Sequence, residues 1–260
     1  MSGLNPRHDA RFEKYKRALL RYIAPKEMRG LEIGAFDLPF IAPGEGNVEF
    51  LDYATTEELR ERARSAEGHS PDFVTPVNYV ATLGDWAEVP EGHYDWIAAA
   101  HVIEHAPSMI DWLRTAARRL KNNGILFLVI PDKRYTFDYF RPESTLGKIL
   151  EDHFLGKLRP GPAEVFDSHY YTRDLNSDYL WKKGKSIVFD SQPAIGAMDL
   201  MRATEDQYVD VHCNIFSQSS FTMIIDALCQ GKFVPFDIDD IGAVDKGELD
   251  FHCVLRRSLE

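Results

Sequence analysis

The residues able to do chemistry gather at a few places. The densest is "HVIEH", residues 101–105, where His101, Glu104 and His105 follow an apolar run. An imidazole takes and releases protons near neutrality, so His105 is the first candidate for a general base, with Glu104 to orient it. Three acids stand at or near the ends of other apolar runs. Glu32 lies inside "RGLEIGAFDLPF" (29–40), two positions before Gly34, Asp52 follows "NVEFL", and Asp85 sits in "GDW" after "PVNYVATL". Asp132 follows "ILFLVIP". "DSHYYTRD" (167–174) surrounds His169 with acids, two tyrosines and an arginine, a mixture that suits a polar acceptor such as a sugar or a phenol.

These residues need elements to position them. "ARFEKYKRALLRYI" puts Phe12, Tyr15, Leu19, Tyr22 and Ile23 on one helical face, and Pro25 stops it. Residues 30–33, 47–53, 76–83, 94–102 and 125–131 read as strands. Between them, Thr55-x-x-Glu58 opens one helix as a capping box, and Pro107 opens another that "NNG" ends. Pro39 and Pro43 prevent a full helix before the second strand. Strands alternating with helices make a parallel sheet with right-handed crossovers. "SSFTMIIDALCQG" reads as a helix, and "KFVPFDI" and "ELDFHCVLRRS" as two strands joined closely enough to pair antiparallel. Residues 132–210 lose periodicity, apart from a short helix near 146–154. So long a segment inside a compact domain is expected to be a lid or binding element.

Composition narrows the function. The net charge of -11 and pI of about 5.3 leave no basic surface to grip a phosphate backbone, so nucleic acid is not an expected partner. No apolar stretch is long enough for membrane insertion, and "MSGLNPRHDARFEKYKR" lacks a signal-peptide core, so a cytoplasmic protein is expected. Cys213, Cys229 and Cys253 are too widely spaced for a disulfide framework or a zinc motif, and read as buried thiols.

In doubly wound sheets, ligands sit over the carboxyl ends of the strands. Glu32 there either anchors the amides of its turn or meets a cationic ligand group. Gly34 lets backbone approach a ligand closely. Asp52 suits the two hydroxyls of a ribose, and an acid beside an aromatic at 85–86 suits an adenine. "LEIGAFD", "FLDYAT" and "YDWIAAAHVIEHAPSMIDWLRTAARRLKNNGILFLVIPD" resemble the class I S-adenosylmethionine-dependent methyltransferases. The likeness is greatest to bacterial small-molecule and glycan-linked members that share "EH" after strand four and "PDKRYTFD" after strand five. It covers residues 28–140, and 210–256 by order of elements. The first loop, Gly34-Ala35-Phe36-Asp37, lacks the alternate glycines usual in that family.

The resemblance implies a Rossmann-like α/β fold. Its seven-stranded, mostly parallel sheet would have helices on both faces, an antiparallel last strand and a lid insertion after strand five. One domain would span 1–260, with an N-terminal helical segment at 1–25 and a substrate-binding insertion at 132–210. S-adenosylmethionine would be the cofactor. Glu32, Gly34, Ala35 and Phe36 would lie by its methionine part, Asp52 and Tyr53 by the ribose, Gly84, Asp85 and Trp86 around the adenine, and Ala100 and His101 by the sulfonium. The expected reaction is methyl transfer to a hydroxyl of a small polar acceptor or glycan, with His105 as base and Glu104, Asp132 and His169 in the acceptor site. No metal is assigned, because the acid-x-x-Glu-His pattern that binds a divalent ion in some methyltransferases begins here with His101; Glu104, His105 and a distant histidine, among His153, His169 and His212, would still make a site, and a hydroxyl acceptor suits metal activation. Two other readings stay open. A nicotinamide oxidoreductase would also use Asp52, but lacks here the later glycines of G-x-G-x-x-G. The other is a non-catalytic cofactor-binding protein.

Overall fold

The computed structural model describes residues 10–82, 85–184, 187–191, 193–204 and 206–258. Seven strands among them share one sheet: β1 (Arg29–Ile33), β2 (Asn47–Asp52), β3 (Tyr79–Val80), β4 (Tyr94–Ala100), β5 (Leu120–Pro131), β6 (Phe236–Ile241) and β7 (Asp250–Arg257). Their spatial order is β3-β2-β1-β4-β5-β7-β6. β7 runs antiparallel to both of its neighbours, and the other pairs are parallel. The order reverses between β1 and β4, which makes their carboxyl ends the switch point where such sheets hold ligands.

Two strands differ from expectation. Of residues 76–83, among those described, only Tyr79–Val80 forms a strand, paired with Leu51 and Asp52 at the sheet edge; Leu83 lies outside the described residues. β5 starts at Leu120, because "NNG" forms an irregularity inside the strand instead of a helix end. There Asn123 takes a left-handed φ of 62°, and the register with β4 shifts between Tyr94 and Trp96.

The helices are α1 (Ala10–Leu19), α2 (Thr56–Ser65), α3 (Met109–Arg119), α4 (Leu146–Phe154), α5 (Pro162–Tyr171), α6 (Ser177–Lys183), α7 (Ile195–Ala203) and α8 (Gln218–Gln230). Thr55 and Glu58 cap α2 reciprocally, as their spacing predicts. Ser108 caps α3 by accepting from the Asp111 amide, so Pro107 stands just before the cap and not in the helix. The insertion is more regular than its sequence suggests. Besides the expected α4, it contains α5, α6 and α7. α6 buries only Leu180 and α7 only Ala197, so no apolar period betrays them. Caps do the work instead: Asn176 accepts from the Tyr179 amide, and Pro162 stands in the first turn of α5.

One face of the sheet packs Ile97, Leu126 and Leu128 against Trp112, Phe221 and Ile224 of α3 and α8. The other packs Trp96, Phe127 and Val129 against Phe12, Tyr15 and Leu19 of α1. No helix joins β1 to β2, as Pro39 and Pro43 require. Phe40 and Ile41 of that loop plug the face instead, with Phe40 stacked on Phe12 at 5.8 Å and edge-on to Phe127. Glu32 holds the plug. Its side chain, on the same face, accepts the Phe40 amide at 2.7 Å and the Ile41 amide at 3.4 Å. Burial raises the Glu32 carboxyl to about 8 despite these amides. Cys213 and Cys253 are buried and Cys229 half-buried, and none is in a disulfide. Among the described residues, no helix is long and apolar enough to cross a membrane.

Two outcomes follow from this packing. A Cβ added to Gly30 would lie 1.9 Å from Cζ2 of Trp96, so Gly30→Ala should lower stability to urea by about 3 kcal/mol, the upper range for overpacking. The second concerns Glu32, which keeps its proton up to about pH 8 when folded but releases it near 4.5 when unfolded. The stability this gives is full below the lower value and is lost as pH rises through the higher one. Urea midpoints of wild type and Glu32→Gln should therefore converge between about pH 5 and about pH 8. A gap that stays constant would contradict a neutral buried carboxyl.

Candidate active site

Gly34 begins the site. Its φ is +69°, its amide donates to the Leu51 carbonyl at 2.9 Å, and a Cβ on it would lie 2.9 Å from Cγ2 of Val102. Only glycine lets the loop after β1 lie this close to the turn after β4. Ala35 and Phe36 continue the loop half-buried, Phe36 with a left-handed φ of 48°. Its carbonyl accepts from the Thr75 amide at 2.8 Å. Asp52, at the end of β2, is buried and accepts its neighbour Tyr53's amide at 2.8 Å. Burial raises Asp52 to about 6, against the pull of the Tyr53 and Phe36 amides. Tyr53 itself is exposed, with the Arg62 guanidinium over its ring.

The residues expected around the adenine are Gly84, Asp85 and Trp86. Asp85 is exposed, and its Oδ1 accepts the Ala87 amide of its own turn at 3.1 Å. Trp86 turns into the core, edge-on to Trp112 at 5.6 Å, because burying two indoles together outweighs leaving one in water. Gly84 lies outside the described residues.

Ala100 ends β4 half-buried, and His101 turns the chain with a φ of 55°, rare for a side chain of this size. The turn is held by the His101 amide, which donates to the Val129 carbonyl at 2.9 Å. The His101 ring lies between two carboxylates. Nε2 donates to Asp250 Oδ2 at 2.9 Å, and Nδ1 is 3.6 Å from Glu104 Oε1. Burial opposes its charge, but the Asp250 hydrogen bond and the two carboxylates prevail and raise its pKa. Asp250, at the start of β7, is fully buried and also accepts the Tyr15 hydroxyl at 2.7 Å and Arg11 at 3.3 Å. Neither Asp250 nor Tyr15 is a candidate from sequence. Their contacts with each other and with His101 span most of the chain, and no local pattern signals them.

Next along the turn, the Glu104 carbonyl accepts the amides of Cys213 and Asn214 at 2.7 and 2.9 Å. Asn214 Nδ2 adds a bond to the Ala106 carbonyl at 2.7 Å. The chain returning from the insertion is thus strapped onto residues 103–106, and His212 comes to His105 with ring centroids 4.7 Å apart. His105 Nδ1 donates to Asp210 at 3.0 Å, and His212 Nδ1 to Asp138 at 2.6 Å. Asp210 and its neighbouring acids raise the His105 pKa against the effect of burial. In sequence His212 is one of three histidines, with His153 and His169, in or beside the insertion, and nothing local pairs it with His105.

The other two acceptor-site candidates lie elsewhere. Asp132 has no exposed surface, and its oxygens accept the Arg134 side chain and the backbone amides of Arg134 and Gln218. It ties β5 to the start of α8, as a fully buried acid takes the donors that neutralise it. His169 is exposed on α5, and its Nδ1 donates back to the Val165 carbonyl. Among the described contacts, none joins it to His105.

A glycine-only approach at the switch point and a buried ribose-type acid beside it fit a nucleoside-bearing donor. The chain matches the family model described as a methyltransferase domain over residues 7–224. No curated protein matches it in sequence. Crystal structures of similar fold include a Listeria monocytogenes protein assigned as an S-adenosylmethionine-dependent methyltransferase, at TM-score 0.50 and 10% identity, covering 95% of this chain and 99% of that one. The S-adenosylmethionine-dependent methyltransferase of Aquifex aeolicus gives 0.47 at 10% identity, covering 94% and 89%. That of Mesorhizobium loti gives 0.45 at 14%, covering 94% and 96%. With the family model spanning most of the chain over this sheet order, the protein belongs to the class I S-adenosylmethionine-dependent methyltransferases and uses S-adenosylmethionine as its methyl donor.

Proposed function

We propose that the enzyme methylates an oxygen of a small polar acceptor or a glycan, and that His105 activates the hydroxyl. The observation that carries this reading is the commitment of His105 Nδ1 to Asp210, which leaves Nε2 as the nitrogen able to act on a proton. The donor supplies a methyl group on positively charged sulfur. The protein has to align the acceptor, exclude water and see the hydroxyl proton leave. Two imidazoles beside a buried carboxylate are more than a free amine would need, and favour oxygen as target. The loop 34–36 would hold the methionine part, Asp52 and Tyr53 the ribose, Asp85 the adenine edge, and Ala100 and His101 would flank the sulfur.

A cavity of about 370 Å³ lies on the side of Asp250 away from His105 and His212, neither of which lines it. It opens between α1, α6 and the β6–β7 loop, lined by Ala10, Arg11, Ser177, Gly247, Glu248 and Leu249. Arg11 in its wall contacts the Asp250 that holds His101. On this reading α4–α7 form the substrate-binding lid over the site. An acidic chain with free thiols suits the cytoplasm.

Two measurements test this. Calorimetry should detect S-adenosylhomocysteine, and Asp52→Ala should weaken it by about 1–3 kcal/mol, the loss of a charged hydrogen-bond acceptor. Binding of NADH without S-adenosylhomocysteine would refute the assignment of Asp52. On a panel of sugars, phenols and amines, His105→Ala should lower turnover by about 10²–10⁴-fold and leave S-adenosylhomocysteine affinity unchanged. Methylation confined to amines would refute the oxygen target.

A further inference from the structure

The lone pair left on His105 has company. Glu104, His105 and His212 each present one ligating atom, and the three atoms lie within 4.8 Å of one another. Glu104 is 1% exposed, and neither of its oxygens has a hydrogen bond. A buried carboxylate without donors is costly, and the nearest described cation, His101 Nδ1, stands off at 3.6 Å. Both histidines are held alike. Asp210 fixes His105 through Nδ1, and Asp138 fixes His212 through Nδ1. Asp138 is held in turn by Arg141, which also donates to the His212 carbonyl. Each ring therefore turns Nε2 away from its carboxylate. Imidazoles oriented by an outer carboxylate are the usual support of a metal ligand.

We propose that Glu104, His105 and His212 bind one divalent transition-metal ion. Two imidazoles and one carboxylate favour Zn²⁺, Co²⁺ or a similar ion over Mg²⁺ and Ca²⁺, which prefer oxygen throughout. Donors about 2.1 Å from a tetrahedral ion lie about 3.4 Å apart, so small side-chain shifts close the observed spread. His101 is not a ligand, since its ring is turned to Asp250. Three protein ligands leave coordination positions open. What the ion does there rests on the oxygen-methylation reading, whereas its binding does not. A hydroxyl bound to the ion becomes more acidic and loses its proton to water. Its oxygen then forms the new bond to the methyl carbon as the carbon–sulfur bond breaks, and that electron pair returns to sulfur. With the ion bound, His105 Nε2 serves as a ligand and no longer takes the proton itself, so His105→Ala still lowers turnover, through loss of the ion.

Co²⁺ titrated into the chelator-treated full chain, with S-adenosylhomocysteine present, should give visible ligand-field bands at one ion per chain, and Zn²⁺ should displace it. His212→Gln should abolish the bands. Asp210→Asn, at an exposed position where folding is safe, should weaken Co²⁺ binding about 10–100-fold, the usual effect of losing a carboxylate behind a ligand. S-adenosylhomocysteine affinity should stay the same in both variants. The proposal is overturned if wild type binds S-adenosylhomocysteine but neither Co²⁺ nor Zn²⁺, or if the bands survive unchanged in Asp210→Asn. Failure of wild type to bind S-adenosylhomocysteine would count against the donor assignment instead.

Discussion

One buried carboxylate fixes the working end of the sheet. Asp250 collects the Tyr15 hydroxyl, Arg11 and His101, so α1, the turn after β4 and the start of β7 meet at a single acid. An ionised group so deeply buried persists only while its donors surround it. Hydrogen bonding to His101, opposed by burial, lowers its pKa, which keeps the pair ionised. The same contact keeps the His101 ring out of the Glu104–His105–His212 cluster. The His101–Asp250 pair and the Glu104–His105–His212 cluster thus sit on one turn, 3.6 Å apart at His101 Nδ1 and Glu104 Oε1.

The second dependency is backbone. Between β5 and α8 the described residues of the insertion form four α-helices, yet the returning chain is registered on the β4 turn by two amides on one carbonyl. This arrangement turns the Glu104 side chain toward His105 and His212. The peptide group supplies position, and the carboxylate remains available for chemistry.

Legibility from sequence followed the range of the interactions. Acids at strand ends were readable because an apolar run broken by a carboxylate is a local contrast, and Asp52 and Glu104 stand where that contrast puts them. Glu32 was readable in place, and of its two possible uses the structure shows the amide anchor. The burial of Trp86 against Trp112 and of Asp132 beneath Gln218 was not legible, because neither partner is a near neighbour in sequence. The same distance hid Asp250, Tyr15 and the pairing of His212 with His105. The insertion helices were hidden for another reason, since α6 and α7 bury too little to produce a period.

The position of β7 bears on how the protein matures. It is synthesised after every other strand, yet it lies between β5 and β6 in the finished sheet. β6 has no other strand to pair with, and the exposed side of β5 stays open until residues 250–257 leave the ribosome. Asp250 arrives with that strand, so the turn carrying His101 has no anchor earlier. The nascent chain can assemble β1 to β5 and the α3 layer and still hold no ordered site. The anchor of the His101 turn therefore comes only with completion of the sheet.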